Sequence, residues 1–157
     1  MSNDEEAFRR IMAELRILEG TAEALQNRMN LVSAARTELS FASATIEGLE
    51  REGKGAPLLV PIGGGSFIKA KVTTIADLVV GMGAGVSAEK PRKEAKKILE
   101  KRIGELENSE QAFQQQLGQV LERINVNKQH LDELSARLSG RQQVDVRKAK
   151  NRTQRAS

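Results

Sequence analysis

An apolar side chain returns at alternating three- and four-residue steps along residues 8 to 46, disappears across a glycine-rich stretch, and returns between residues 99 and 138. The first stripe opens as Phe8, Ile11, Leu15, Leu18, Ala22, Leu25, Met29, Val32. The second reads Leu99, Ile103, Leu106, Glu110, Phe113, Leu117, Val120, Ile124, Asn127, Leu131, Leu134, Leu138, with ten of twelve positions apolar. A spacing near 3.5 residues keeps each set on one side of a helix, the condition for two helices to wind around each other. Two such stripes flanking an insert predict a chain folded about its middle, both ends meeting at the far tip of an antiparallel two-helix coiled coil.

Boundary residues agree with that layout. Ser2 followed by Glu5, or Asp4 itself, suits the cap of the first helix, where a side-chain oxygen accepts from free backbone amides. Gly53, Gly55 and Pro57 suit its end. Ser87 and Pro91 suit the start of the second helix and Gly140 its end. The expected organisation is an N-terminal coiled-coil helix at 4–53, a double β-hairpin module at 56–89, a C-terminal coiled-coil helix at 90–140, and a basic, disordered tail at 141–157. Each arm of about 48 residues would be roughly 70 Å long at 1.5 Å per residue.

Composition supports an extended shape over a compact core. Only 3% of the 157 residues are aromatic, there is no Trp, Tyr or Cys, and 29% are charged, mostly within the periodic segments where charge solvates outward helix faces. Without cysteine there is no disulfide framework and no thiolate metal site. The acidic start, Asp4-Glu5-Glu6, is unlike a secretory leader, and the most apolar internal stretch, Leu78 to Val86, is about half a membrane span. A cytoplasmic location without membrane contact is expected. The net charge of +4 arises in residues 141–157, where six basic side chains face Asp145 alone, so residues 1–140 sum to −1. Nucleic acid binding through this tail is therefore the weakest of three functional classes considered.

Between the arms, Leu58 to Ile62, Phe67 to Val72, Leu78 to Met82 and Val86 to Ala88 read as four short strands. Gly63-Gly64-Gly65 and Gly83-Ala84-Gly85 supply the positive-φ positions of tight turns, which pairs the strands as two successive hairpins. A two-stranded ribbon is marginal in water, and Val60, Phe67, Ile68, Val72, Val79, Val80, Met82 and Val86 lack a covering layer in the same chain. They are the expected subunit-assembly residues, pairing between chains into a shared β-barrel.

If the arms run antiparallel with equal rise, facing residues have numbers summing to about 143, which sets Phe8 near Leu134 and Leu25 near Leu117. After Val32 the apolar positions resume at Ala35, Leu39, Ala42, Ile46 and Leu49, suggesting a three-residue phase slip. Arg36 then falls close to Glu110, the acidic break in the other seam, and the two are expected to form a buried or half-buried pair. Asn127, the other polar seam residue, suits register selection better than contact with a bound protein.

Enzymatic signals are weak. Gly83 to Ala88 fits a dinucleotide-binding pattern but lacks the second parallel strand such a unit requires. Gly48 to Gly55 nearly spells a phosphate loop but has Gly55 where Ser or Thr must hold magnesium. Gly63 to Ser66 with Lys69 and Lys71 reads as a turn with solvated lysines. His130, the sole histidine, has no second ligand or nucleophile in the pattern. No enzyme, cofactor or metal site is expected.

The segments LLVPIGGGSFIKAKV (Leu58 to Val72) and LVVGMGAGVSAEK (Leu78 to Lys90), set between two heptad arms, resemble the alpha subunits of prefoldin, also called GimC. The resemblance implies a hexamer of two alpha and four beta subunits, the alpha type having two hairpins and the beta type one, built on a double β-barrel with six coiled-coil tentacles. It implies ATP-independent capture of unfolded or nascent proteins and delivery to a group II chaperonin. A client would meet seam residues near the open tip, Phe8, Ile11, Leu15, Leu131, Leu134 and Leu138, with Met12 and Val144 extending the patch. For the innermost, Leu15 and Leu131, closing the coil is the competing role. A filament-forming relative built on the same hairpins without a beta partner is the second functional class.

Overall fold

A computed structural model describes residues 3–155, with side chains through residue 140. The elements are α1 (Asn3–Glu52), β1 (Pro57–Gly63), β2 (Ser66–Lys71), β3 (Asp77–Gly83), β4 (Val86–Pro91) and α2 (Arg92–Arg155). Each helix contributes to two compact units, one formed by residues 1–29 and 112–157 and the other by residues 30–111. Ser2, an expected cap, lies outside the described residues.

In the first unit the two helix segments meet along the expected seam. Leu15, Leu18 and Ile124 form its buried centre, with Ala22, Val120 and Leu131 packed around them. Leu25 and Leu134 are also buried. Cross-helix ion pairs flank the apolar stripe: Arg123 Nη2 lies 2.8 Å from Glu14 Oε1, and Lys128 Nζ 3.4 Å from Glu19 Oε1. These pairs bracket the expected number sum of 143, as antiparallel packing requires.

The second unit contains the other halves of the helices and both hairpins. Glu50 forms ion pairs with Arg92 Nε at 3.0 Å and Lys96 Nζ at 3.2 Å, joining the end of α1 to the start of α2. Ala95 and Leu99 are buried beside this joint in sequence. Gly53, with φ 78°, donates its amide to Leu49 O at 2.9 Å and stops α1 in the left-handed conformation that glycine adopts without strain.

The two candidate phases of the α1 seam part at residues 42 and 43, where Ser43 is half-buried and Ala42 exposed; Ala35 and Arg36 are both half-buried, as are Leu49 and Glu50. Leu39 and Ile46 belong to both phases. Arg36 packs at the interrupted position, its Nε 3.2 Å from Glu110 Oε2 and Nη1 3.7 Å from Glu107 Oε1.

Two further boundaries differ from expectation. Helix α2 continues through Gly140 to Arg155. An interior glycine costs only about 1 kcal/mol, and residues 141–155 contain no proline or further glycine to stop the ladder. Strand β4 extends to Pro91, with Ser87 opposite Gly81, so Ser87 is a strand residue and does not cap α2. Pairing persists because β3 presents a partner as far as Asp77.

β1 pairs antiparallel with β2, and β3 with β4, as two separate two-stranded sheets. Both turns use left-handed residues, Gly64 and Gly65 in one and Ala84 and Gly85 in the other. The Gly83–Ala88 pattern thus lies in a turn followed by a strand, not at a helix start.

Candidate docking faces and coil end

Pleating divides each hairpin into two faces. In the first, Leu58, Val60, Ile62, Ile68 and Ala70 share one face, and Pro57, Leu59, Pro61, Phe67, Lys69 and Lys71 the other. In the second, Leu78, Val80, Met82, Ala88 and Lys90 share one face, and Asp77, Val79, Gly81, Ser87, Glu89 and Pro91 the other. Val60, Phe67, Ile68, Val79, Met82 and Val86 are exposed. Leu59 and Ile62 are exposed too, and sequence reasoning missed them although strand alternation marks them as the face neighbours of Phe67 and Val60.

Two of the expected assembly residues are covered within the chain. Val72 closes the base of the first hairpin, donating to Ala56 O at 3.0 Å and accepting from Gly55 N at 2.8 Å, with Ala56 buried beside it. Val80 is 7% exposed, against 44% for Val60 in the first hairpin. The guanidinium of Arg102 in α2 donates to Gly81 O, the next residue along β3. The second hairpin is thereby tied to α2.

At the coil end that carries Phe8, the residues separate by burial. Leu15 and Leu134 are buried; Phe8, Ile11, Leu131 and Leu138 are half-buried, and Met12 is exposed. Burial of Leu15 and Leu134 closes the coil there, which leaves the half-buried set and Met12 as the apolar side chains open to solvent among those expected at the tip. The Val144 side chain lies outside those described. His130 is exposed, and among the described residues no three His, Cys, Asp or Glu side chains gather as a metal site. No helix among them is long and apolar enough to cross a membrane.

Helical halves flanking two glycine-turn hairpins are matched in known proteins. A family model described as prefoldin subunit covers residues 18–137. The chain belongs to the prefoldin subunit family. It is similar to the prefoldin subunit alpha of Methanosarcina barkeri, 32% identical over 145 residues that span 90% of this chain and 89% of that one. Prefoldin subunit alpha 1 of Thermococcus kodakarensis is 32% identical over 105 residues, covering 67% of this chain and 72% of that one. Among solved structures, filamentous PFD from Methanocaldococcus jannaschii, determined by cryo-EM, superimposes with a TM-score of 0.62 at 27% identity, over 71% of this chain and 92% of that one. The prefoldin fold accounts for both the seam and the paired hairpins of this subunit.

Proposed function

We propose that this prefoldin subunit is the alpha-type component of a cytoplasmic, ATP-independent holdase, assembled as two alpha with four single-hairpin beta subunits. The observation that carries the reading is the uncovered apolar surface of the hairpins: Leu59, Ile62, Phe67, Val79 and Val86 are each more than half exposed. Isolated ribbons with such surfaces need cover from another chain. Pairing of strand edges between subunits supplies it and satisfies the unpaired backbone groups.

Clients are held by the end of the coil that carries Phe8, Ile11, Met12, Leu131 and Leu138. Each side chain buried against a client contributes about 1.5 to 3 kcal/mol. One end therefore binds weakly, and several on one assembly bind firmly through effective concentration. Release to a group II chaperonin needs no nucleotide because each contact is individually weak. This is binding, not catalysis.

The experiment is co-expression with a candidate beta subunit, native mass measurement, and an aggregation assay on an unfolded client without ATP. Removal of residues 1–12 and 131–157 is expected to preserve assembly and abolish protection; full protection by the truncated hexamer refutes the tip assignment. A second reading, a filament built from this chain alone, is favoured by the similarity to filamentous PFD. It gives a spread of lengths in place of one mass.

A further inference from the structure

Ile17 lies off the α1 seam, 69% exposed, at the edge of a groove in the first unit. Ile17, Gly20, Ala24 and Arg28 follow one another at three- and four-residue steps along one flank of α1, and Gln116 and Gln119 of α2 line the groove opposite them. Its inner edge is the seam itself, at Leu25 and Val120. Gly20 and Ala24 leave the α1 wall low, and a β-carbon added at Gly20 would meet nothing within 4 Å. The Thr21 hydroxyl donates to Ile17 O at 2.8 Å, which engages its polar group within the helix and leaves its methyl to the groove.

Charge thins out at the same level. In a chain 29% charged overall, the ten residues from Ala112 to Leu121 carry none. Loss of charge around an exposed apolar side chain, with an arginine retained, is the composition of a binding patch and not of a solvated helix face. Arg28 is that arginine. It is exposed and, among the described residues, takes part in no ion pair, whereas Arg123 in the same unit holds Glu14 at 2.8 Å.

We propose that this groove receives an amphipathic helix of another protein, with apolar residues on the side it buries and a carboxylate placed to meet Arg28. Both walls are helix, so their backbone amides and carbonyls are already bonded within α1 and α2. An extended segment would bury its own polar groups there without partners, whereas a helix arrives with its own satisfied. The short side chains of Gly20 and Ala24 let a third helix axis approach to about 8 Å. The stretch from Ile17 to Arg28 is roughly 17 Å long, which matches about three turns of the incoming helix. An unpaired cation at one end selects a partner with an acid at that level, and Gln116 and Gln119 offer amides to its polar flank. The proposal goes beyond the holdase reading, since the occupant is helical and the groove is not the Phe8 end.

The test is fluorescence anisotropy of the full chain with a labelled, side-chain-stapled helical peptide that carries leucine and alanine on one side and one glutamate at their border. Wild type is expected to bind it saturably. Gly20→Gln, which fills open space and favours the helix, and Arg28→Glu are each expected to weaken binding about tenfold or more with helical ellipticity unchanged. Arg28→Glu is expected to regain affinity for the peptide with lysine in place of glutamate, a result that loss of folding cannot imitate. No saturable binding by wild type, binding indifferent to both substitutions, or equal binding of a peptide of the same composition whose alternating D-residues prevent a helix, overturns the proposal. Gly20→Gln is expected to leave protection of an unfolded client by the assembled subunits unchanged, and lost protection assigns the groove to clients and overturns the proposal. Intact peptide binding by a wild-type assembly that protects no client supports the groove and overturns only the holdase reading.

Discussion

Breaking the Arg36–Glu110 contact tests both the antiparallel pairing and the seam phase. Arg36 is 37% exposed and Glu110 28%, with charged atoms 3.2 Å apart. Two unit charges at that distance attract by about 1.3 kcal/mol in a water-like medium and about 5 kcal/mol at an effective dielectric of 20, before desolvation is subtracted. Arg36 Nε is buried without a hydrogen bond in line, so the contact acts through charge, and the net coupling falls to about 1 kcal/mol. Arg36→Ala also removes the stem that packs in the seam and leaves Glu107 and Glu110 without their shared cation, for a cost of about 1–2 kcal/mol. Glu110→Ala costs less, about 0.5–1 kcal/mol, because Glu107 remains at 3.7 Å from Arg36. A double-mutant cycle from urea unfolding, followed by helical ellipticity at one fixed subunit concentration, reads the coupling directly. Additivity within about 0.3 kcal/mol refutes the pairing. The same cycle with leucine separates the two phases: at a seam position Arg36→Leu with Glu110→Leu is neutral or stabilising, since apolar residues replace a partly buried ion pair. With Arg36 outside the seam, the leucine gains nothing.

Leu18, at 5% exposure in the centre of the first unit, is expected to cost about 3 kcal/mol as Leu18→Ala; an unchanged urea midpoint contradicts the packing. Asn127 Nδ2 is buried with no hydrogen-bond partner, so Asn127→Leu is expected to raise stability by about 1–2 kcal/mol while loosening register, read by thermal melting together with cysteine crosslinking between helix positions. Ala84 has φ 48° where the first hairpin has glycine, and Ala84→Gly is expected to stabilise the second turn by up to about 1 kcal/mol, seen as slower amide exchange in β3 and β4. Val80→Ala is expected to destabilise the chain itself, whereas Val79→Ala, at a residue 74% exposed, is expected to leave folding unchanged and weaken assembly with partner chains.

The helices were legible because their signal repeats. Twelve seam positions chosen from spacing in α2 include none that is exposed, Glu110 and Asn127 among them. Large side chains at a fixed period leave one solution for burial. Where the period is carried by small residues the signal degenerates: with Leu39 and Ile46 common to two phases, Ala35 and Ala42 argued for one and Arg36 and Ser43 for the other. Burial separates Ser43 from Ala42 and leaves Ala35 and Arg36 alike half-buried. A long arginine stem fills a seam position while its head reaches an acid, a capacity that an apolar or polar label does not contain. Gly140 misled for a related reason, since one glycine lowers helix propensity without supplying the residues that divert the chain.

In the insert, strands and turns followed from residue type, but which face is covered did not. Val60 and Val80 are the same residue at the same place in copies twenty residues apart, yet one is open and the other closed. What differs is outside the strands. The second hairpin runs directly from Pro91 into α2 and is tied back by Arg102, eleven residues along, to the carbonyl of Gly81. The first hairpin is followed, through Thr73 to Ala76, by another ribbon and not by a helix. An apolar strand pattern therefore specifies that cover is needed, and only the connection that follows determines whether the chain supplies it. By that reasoning Val60, Ile62 and Ile68 form the surface of this insert that depends most on a partner chain, and their truncation to alanine should weaken assembly more than the equivalent change at Val80.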